Sequence, residues 1–204
     1  MFEVKAINET SIEYIFGSNI NALTNQKVLK VYKYLNNKYI LDLIPTYTSL
    51  AIEFTSQCKL FSDIHAFDED VKKALEQENL TGSKNHLIEV DYNGEDIPYL
   101  CQTLDLSKEE LINIHLSKTY TVAMLGFKEY FPYLFGLGER LNIPRRKDPR
   151  LQVKKGSVAI AAGQCGIYSE DSPGGWHILG HTNFDDFKEL QASDTITFRR
   201  SHAN

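Results

Sequence analysis

Gly156–Gly180 reads GSVAIAAGQCGIYSEDSPGGWHILG, and three short strands can be laid along it. Ser157–Ala161 is small and apolar, Gly163 interrupts it, and Cys165–Tyr168 resumes the strand pattern. Short apolar runs bounded by glycine are strand signals rather than helix signals. Ser172-Pro173-Gly174-Gly175 is expected as a tight loop, because proline presets φ and glycine accepts positive φ. Trp176, the chain's single tryptophan, begins a third strand that runs to Leu179. By composition alone the stretch is a sheet corner with Trp176 as its core anchor.

Working outward, the same strand-rich pattern continues on both sides. Leu87–Tyr92 reads as a strand, followed by the turn Asn93-Gly94-Glu95-Asp96. Ser107 with Glu110 three residues later makes a capping box, and Leu106 with Leu111 a hydrophobic staple. That helix is expected to run to His115 or Leu116. Tyr120–Phe127 is a buried strand, several more follow with little helix, and Thr195–Phe198 is the last before Ser201–Asn204 frays. From about Asn85 onward the pattern predicts a β-barrel-like domain with one helix.

The first 84 residues are patterned differently. Phe2–Ala6 and Ser11–Phe16 form two strands, and Asn19–Asn21 can cap a helix striped by Val28, Val31, Tyr32 and Leu35 and ended by Asn36-Asn37. Tyr39–Ile44 is a strand, Pro45-Thr46-Tyr47 a corner, and Leu50, Ile52 and Phe54 the buried side of the next strand. Asp68 is expected to cap a second helix to about Glu76. Thr81-Gly82-Ser83-Lys84-Asn85 has linker chemistry. The fold class is therefore α+β, with a small ferredoxin-like α/β sandwich over 1–84 and a β-barrel over 85–204.

Composition narrows the function. The chain has 204 residues, of which 24% are charged, and a formal charge of −5. That balance argues against a nucleic-acid binder, which carries a basic field. No apolar run approaches the roughly 18 residues of a membrane span, and Met1–Glu9 lacks a signal-peptide core. Cys58, Cys101 and Cys165 form an odd set without CxxC spacing, which fits a reducing cytoplasm. In that setting the sequons at Asn8 and Asn79 carry no meaning.

Six cations fall within eleven residues: Arg145, Arg146, Lys147, Arg150, Lys154 and Lys155. The lysines read as solvated rim charges. Arg145 and Arg150 each follow a proline, and a guanidinium held in this way grips a carboxylate or phosphate. His115, at a helix end, is expected as a cation stabilised by the macrodipole. Phe127, Tyr130, Phe131, Tyr133 and Phe135 read as core or interface, with Phe131 and Tyr133 as pocket lining. His177 and His181 do not lie on a helix face, there is no HExxH or Walker A loop, and no metal site is expected. Cys165 has no adjacent histidine in sequence to activate it and reads as packing.

In order, GFKEYFPYLFGL (Gly126–Leu137), PRRKDPR (Pro144–Arg150), GSVAIAAGQCGIY and SPGGW resemble the family of 5-oxoprolinase B subunits, also called allophanate hydrolase subunit 1. The resemblance is specific from about Val90 to Thr182 and continues more weakly to the N-terminus. The family includes an inhibitor of a sporulation histidine kinase. Members tend to carry PGFPYLGGL where this chain has EYFPYLFGL, so Glu129, Tyr130 and Phe135 replace a proline and two glycines. The resemblance implies a cyclophilin-like barrel and a hydrolase subunit that works with a larger C subunit and a separate A subunit. It further implies ATP, with magnesium, in the assembled complex, since phosphorylation of the unreactive lactam oxygen would open its carbon to water. Paired homologous domains form the carboxyltransferase part of urea carboxylase, which implies a site between two chains. By the same resemblance Arg145 and Arg150 are clamps and His115 contacts substrate or takes part in catalysis. Gln164 and Tyr168 make polar contacts, and Ser172, Pro173, Gly174, Gly175 and Trp176 shape the site. The alternative is a non-catalytic inhibitor docking on a sensor histidine kinase; neither reading involves nucleic acid or membrane.

Overall fold

The computed structural model describes residues 2–35, 39–55, 65, 67–78 and 82–201. The expectations for Asn36-Asn37, Cys58, the Asn79 sequon, Thr81 and His202–Asn204 lie outside the described residues. The chain divides into two compact units, Met1–Ser83 and Lys84–Asn204.

In the first unit, β1 (Glu3–Asn8) and β2 (Ser11–Ile15) form a hairpin, α1 (Ala22–Tyr34) follows, β3 (Ile40–Pro45) and β4 (Ser49–Phe54) form a second hairpin, and α2 (Asp68–Glu76) closes the series. The sheet order is β1-β2-β4-β3, antiparallel throughout. That is the ferredoxin-like strand order with its last strand moved to the front of the chain. Period-two alternation turns Ile12, Tyr14, Leu50, Ile52 and Phe54 toward Val28, Val31, Val71 and Ala74 of the helices. Asn21 caps α1 by accepting the Thr24 amide at 2.9 Å. Asp68 does not cap α2: Phe67 holds that position without a side-chain bond, and the Asp68 carboxylate instead accepts the Tyr14 hydroxyl at 3.0 Å.

The second unit starts with β5 (Asn85–Val90), then α3 (Ile97–Leu104), α4 (Lys108–Leu116), β6 (Thr119–Leu125) and β7 (Pro132–Phe135). After a 3-10 turn at Glu139–Leu141 come β8 (Arg150–Val153), β9 (Ser157–Ala161), β10 (Gln164–Ile167), β11 (Ser172–Gly174), β12 (His177–His181) and β13 (Thr195–Arg200). Seven strands form one sheet in the order β12-β9-β10-β7-β6-β13-β5, antiparallel except for the parallel β13–β5 pair. Asp91 and His181 exchange amide bonds of 2.8 and 2.9 Å, and the Gly94 amide donates to Leu179 at 3.1 Å. These bonds bring the end of β5 to β12 and nearly close a barrel. Its core is Ile88, Val122, Leu134, Val158, Ile160, Ile167, Leu179 and Ile196, with Leu100, Leu111 and Ile112 packed in from α3 and α4.

The capping box of α4 is present: Ser107 Oγ accepts the Glu110 amide at 3.2 Å, and Glu110 accepts the Ser107 amide at 2.8 Å. The expectation of a single helix here is corrected to two. Pro98 hides α3 from a reading that treats proline as a breaker, because in the first turn proline removes no intrahelical bond. The expected tight loop at Ser172–Gly175 is also corrected. Ser172–Gly174 is a short strand on β8 with a bulge at Pro173, and neither Gly174 nor Gly175 has positive φ. Among the described residues no helix is long and apolar enough to cross a membrane.

Candidate functional site

Successive residues of β9 and β10 point to opposite faces of the sheet. Val158, Ile160, Cys165 and Ile167 enter the barrel core. Ala159, Ala161 and Tyr168 face the other way, into a second cluster with Phe131, Val153, Trp176 and Ile178, and Tyr133 packs against it. Gln164, opposite Ala161 in register, shares that outer face.

Small residues on the outer face make room for large rings. A Cβ on Gly166 would stand 2.8 Å from the Phe131 ring, and one on Gly174 2.0 Å from Tyr168 Oη. Phe131 is edge-on to Tyr168 at 5.2 Å and to Trp176 at 5.9 Å, and Tyr133 meets Trp176 at 5.8 Å. The Arg145 guanidinium lies over the Trp176 ring at 5.9 Å. Arg145 is exposed and makes no ion pair among the described residues. A cation there is held by the ring face while its donors stay open. Burial raises the Tyr133 and Tyr168 hydroxyls above the usual phenol range, against the opposing charge of Arg145, so both are neutral.

Arg150 is tied down differently. Its Nη2 donates to Asp96 Oδ1 at 2.8 Å and its Nε to Glu95 at 2.8 Å, while Arg146 Nη1 reaches the same Asp96 oxygen at 2.8 Å. The other Asp96 oxygen accepts the Ile178 amide at 2.7 Å. Burial would raise the Asp96 carboxyl, but the Arg150 and Ile178 hydrogen bonds and two guanidinium charges outweigh it and hold it below the usual range. The structure therefore makes Arg150 an internal ion-pair partner, 16% exposed. One donor, Nη1, stays buried without a partner among the described residues, as do Ser172 Oγ and His177 Nδ1. His177 stacks on Tyr99 at 5.3 Å, and its Nε2 lies 3.1 Å from the Pro144 carbonyl.

Of the sequence candidates, Arg145, Phe131, Tyr133, Tyr168, Gly174 and Trp176 come together on this face. Arg150 joins them through its β8 pairing with Gly174, Ser172, Pro173 and Gly175 flank them along the chain, and Gln164 lies on the same sheet face. His115 does not join them. It is wholly buried in the barrel core, its Nδ1 2.7 Å from Tyr92 Oη and its Nε2 3.4 Å from Cys165 Sγ. Burial pushes its imidazole down to about 3, so the expected charged helix cap is corrected to a neutral core residue. The sequence reading missed Asp96, which it took for a turn residue. Asp96 stands directly before α3 but its carboxylate makes no cap bond, and with that helix hidden by Pro98 no local signal marks it.

Two other places offer polar groups. A groove of about 400 Å³ runs along the barrel seam, lined by Leu87, Glu89, Asp91, His181, Thr182 and Phe184 among others. It does not coincide with the arginine-aromatic face, and Glu89 and Asp91 are bonded to Arg199 and Asn93. Beside it, Ser157 Oγ, His181 and Asn93 form a relay of 3.1 and 3.3 Å. Ser157 is wholly buried, so its hydroxyl is not presented to a substrate. Among the described residues no three His, Cys, Asp or Glu side chains converge as a metal site.

The chain matches the model of the carboxyltransferase domain, subdomain C and D, over residues 2–197. It is 29% identical to the B subunit of 5-oxoprolinase from Bacillus subtilis (strain 168), covering 98% of this chain and 92% of that one. The B subunit of 5-oxoprolinase from Haemophilus influenzae is 43% identical over 52% of this chain and 53% of its own length. Among solved structures, that of TTHA0988 is 28% identical with a TM-score of 0.78, covering 96% of this chain but only 40% of that longer one.

Proposed function

This chain belongs to the carboxyltransferase domain, subdomain C and D, family, and from that membership we propose that it is the B subunit of a prokaryotic ATP-dependent 5-oxoprolinase. The reaction is 5-oxo-L-proline + ATP + two waters to L-glutamate + ADP + phosphate, carried out with a C subunit and an A subunit. The observation that carries the reading is the end-to-end similarity to a B subunit of 5-oxoprolinase. The geometry supports a binding role within it. Arg145, with open donors above Trp176, grips the substrate carboxylate or a phosphate oxygen. Arg150, oriented by Asp96, holds one further donor, while neutral Tyr133 and Tyr168 and the polar Gln164 define the wall. Phe131, Ser172, Pro173, Gly174, Gly175 and Trp176 give the face its shape.

Binding groups gathered without an exposed nucleophile make half of a site, completed by another chain. No residue of this chain is assigned to ATP or magnesium, because its described residues hold no converging metal ligands and its sequence has no glycine-rich phosphate loop. ATP supplies the phosphoryl group in the assembled complex. His115 has no assigned step, since its imidazole reaches no solvent. The free thiols of Cys101 and Cys165 fit a cytoplasmic setting.

The test is reconstitution. The purified chain alone should neither hydrolyse ATP nor open 5-oxoproline, and addition of the C and A subunits should yield glutamate and ADP. Arg145→Ala should lower turnover of the complex at least about tenfold without changing the melting temperature, since a lost charge-assisted bond is worth roughly 1.5–3 kcal/mol. Arg150→Ala should lower both, because it leaves Asp96 short of a partner. Turnover by the lone chain, or a fully active Arg145→Ala complex, overturns the half-site. Tight binding to a sensor kinase dimerisation domain, with no affinity for a C subunit, would establish the inhibitor instead.

A further inference from the structure

The connection between β6 and β7, Gly126–Phe131, holds two bulky aromatics in left-handed backbone: Phe127 at φ 65° and Tyr130 at φ 59°. That conformation is unfavourable for any side chain with a Cβ and rare for aromatics. Neither ring is buried in return, since Phe127 is 58% and Tyr130 42% exposed. The loop is nevertheless fastened. The Lys128 amide donates to Gly126 at 2.7 Å, the Phe131 amide to Lys128 at 3.1 Å, Ser169 Oγ to the Glu129 carbonyl at 2.7 Å, and Lys128 pairs with Glu170 at 2.9 Å. Strain that a structure maintains around exposed groups is a mark of function.

We propose that this loop is the anchor by which the chain docks a second, larger polypeptide, with Phe127 and Tyr130 entering apolar pockets beside the substrate-gripping Arg145. The proposal rests on the subunit reading above and names the surface that reading leaves open. Phe127 packs edge-on against Phe131 at 5.6 Å, Phe131 against Trp176, and Trp176 carries Arg145. The exposed rings and the open cation therefore form one connected patch backed by a buried cluster. Tyrosine, arginine and other large aromatics dominate the centres of protein interfaces, and rings fixed in advance lose little freedom on binding.

One observation selects the occupant. The same fold fills only 40% of the longer TTHA0988 chain, so it occurs joined to a larger polypeptide.

The experiment measures binding of the chain to the C subunit encoded in the same genome, by calorimetry, for wild type, Phe127→Ala, Tyr130→Gly and the control Leu87→Ala. Both loop variants should weaken the complex at least about tenfold, in low and high salt alike, and Leu87→Ala should not. Tyr130→Gly is diagnostic because glycine accepts its backbone: the isolated chain should melt no lower than wild type while binding worse. A merely structural loop would move melting and binding together or leave binding unchanged. Wild-type binding that both variants retain overturns the anchor and leaves the subunit reading standing. Absence of wild-type binding sinks both, and self-association abolished by the loop variants assigns the patch to a second copy.

Discussion

His115 shows how far burial can override a local rule. A helix C-terminus favours imidazolium by up to about 2 kcal/mol, but this ring lies in the barrel core between Tyr92 and Cys165 and stays neutral down to about 3, against an ordinary value of 6.5. Between those values the unfolded chain binds a proton that the folded chain refuses. This contribution to stability is therefore present above about pH 6.5 and lost as pH falls, at about 1.4 kcal/mol per unit until about pH 3. His115→Asn should be less stable than wild type near pH 7.5, with the gap narrowing by about 2 kcal/mol near pH 5 in urea titrations. A constant gap would mean that another group sets the acid limb. The Pro-Arg pairs marked both arginines in sequence, yet only tertiary structure separates them. Arg145 is left open on a ring, whereas Arg150 is claimed by Asp96, 54 residues away in the chain. No local pattern carries that distance. Where the family that the sequence resembles tends toward glycine, this chain has Tyr130, and the backbone there is left-handed.

At the scale of elements, strands and capped helices were readable because their periodicity repeats, and α4 announces itself through Ser107 and Glu110. α3 was missed because one proline carries opposite meanings inside a helix and in its first turn. Glycines misled in another way. Asn93-Gly94 suggests a positive-φ turn, but Gly94 is required by proximity: a Cβ there would lie 2.2 Å from the Ile178 carbonyl oxygen. Gly180 is pressed likewise, with Asp91 O at 2.1 Å. Both sit at the seam where β5 meets β12. Gly94→Ala should therefore force the seam apart and destabilise the chain by about 3 kcal/mol, read as a lower urea midpoint with an unchanged slope. A neutral result would show that the seam relaxes freely. Gly174 belongs to the same class, held against Tyr168 Oη by packing.

For the whole molecule, the two units each have a core of their own, Ile12–Ala74 in one and Ile88–Phe198 in the other. A fragment covering residues 84–204 should unfold cooperatively by itself, and limited proteolysis of the full chain should begin near Gly82-Ser83 and leave that fragment. First cleavage inside Gly156–Gly180 would contradict the packing described there. The fold class was legible because each half carries its own apolar pattern. The arginine-aromatic face was only partly so, because its shape depends on which residues of the sheet turn outward.

The parallel β13–β5 pair also sets an order in time. Thr195 bonds Asn85 across 110 residues, so β5 leaves the ribosome long before β13, its neighbour in the sheet, has been made. At bacterial and eukaryotic elongation speeds that wait lasts roughly 5–20 s, during which the first unit has every strand it needs and the barrel does not. A frameshift or premature stop upstream of Thr195 would thus leave a barrel whose first strand never acquires that neighbour, a species for quality control rather than for assembly.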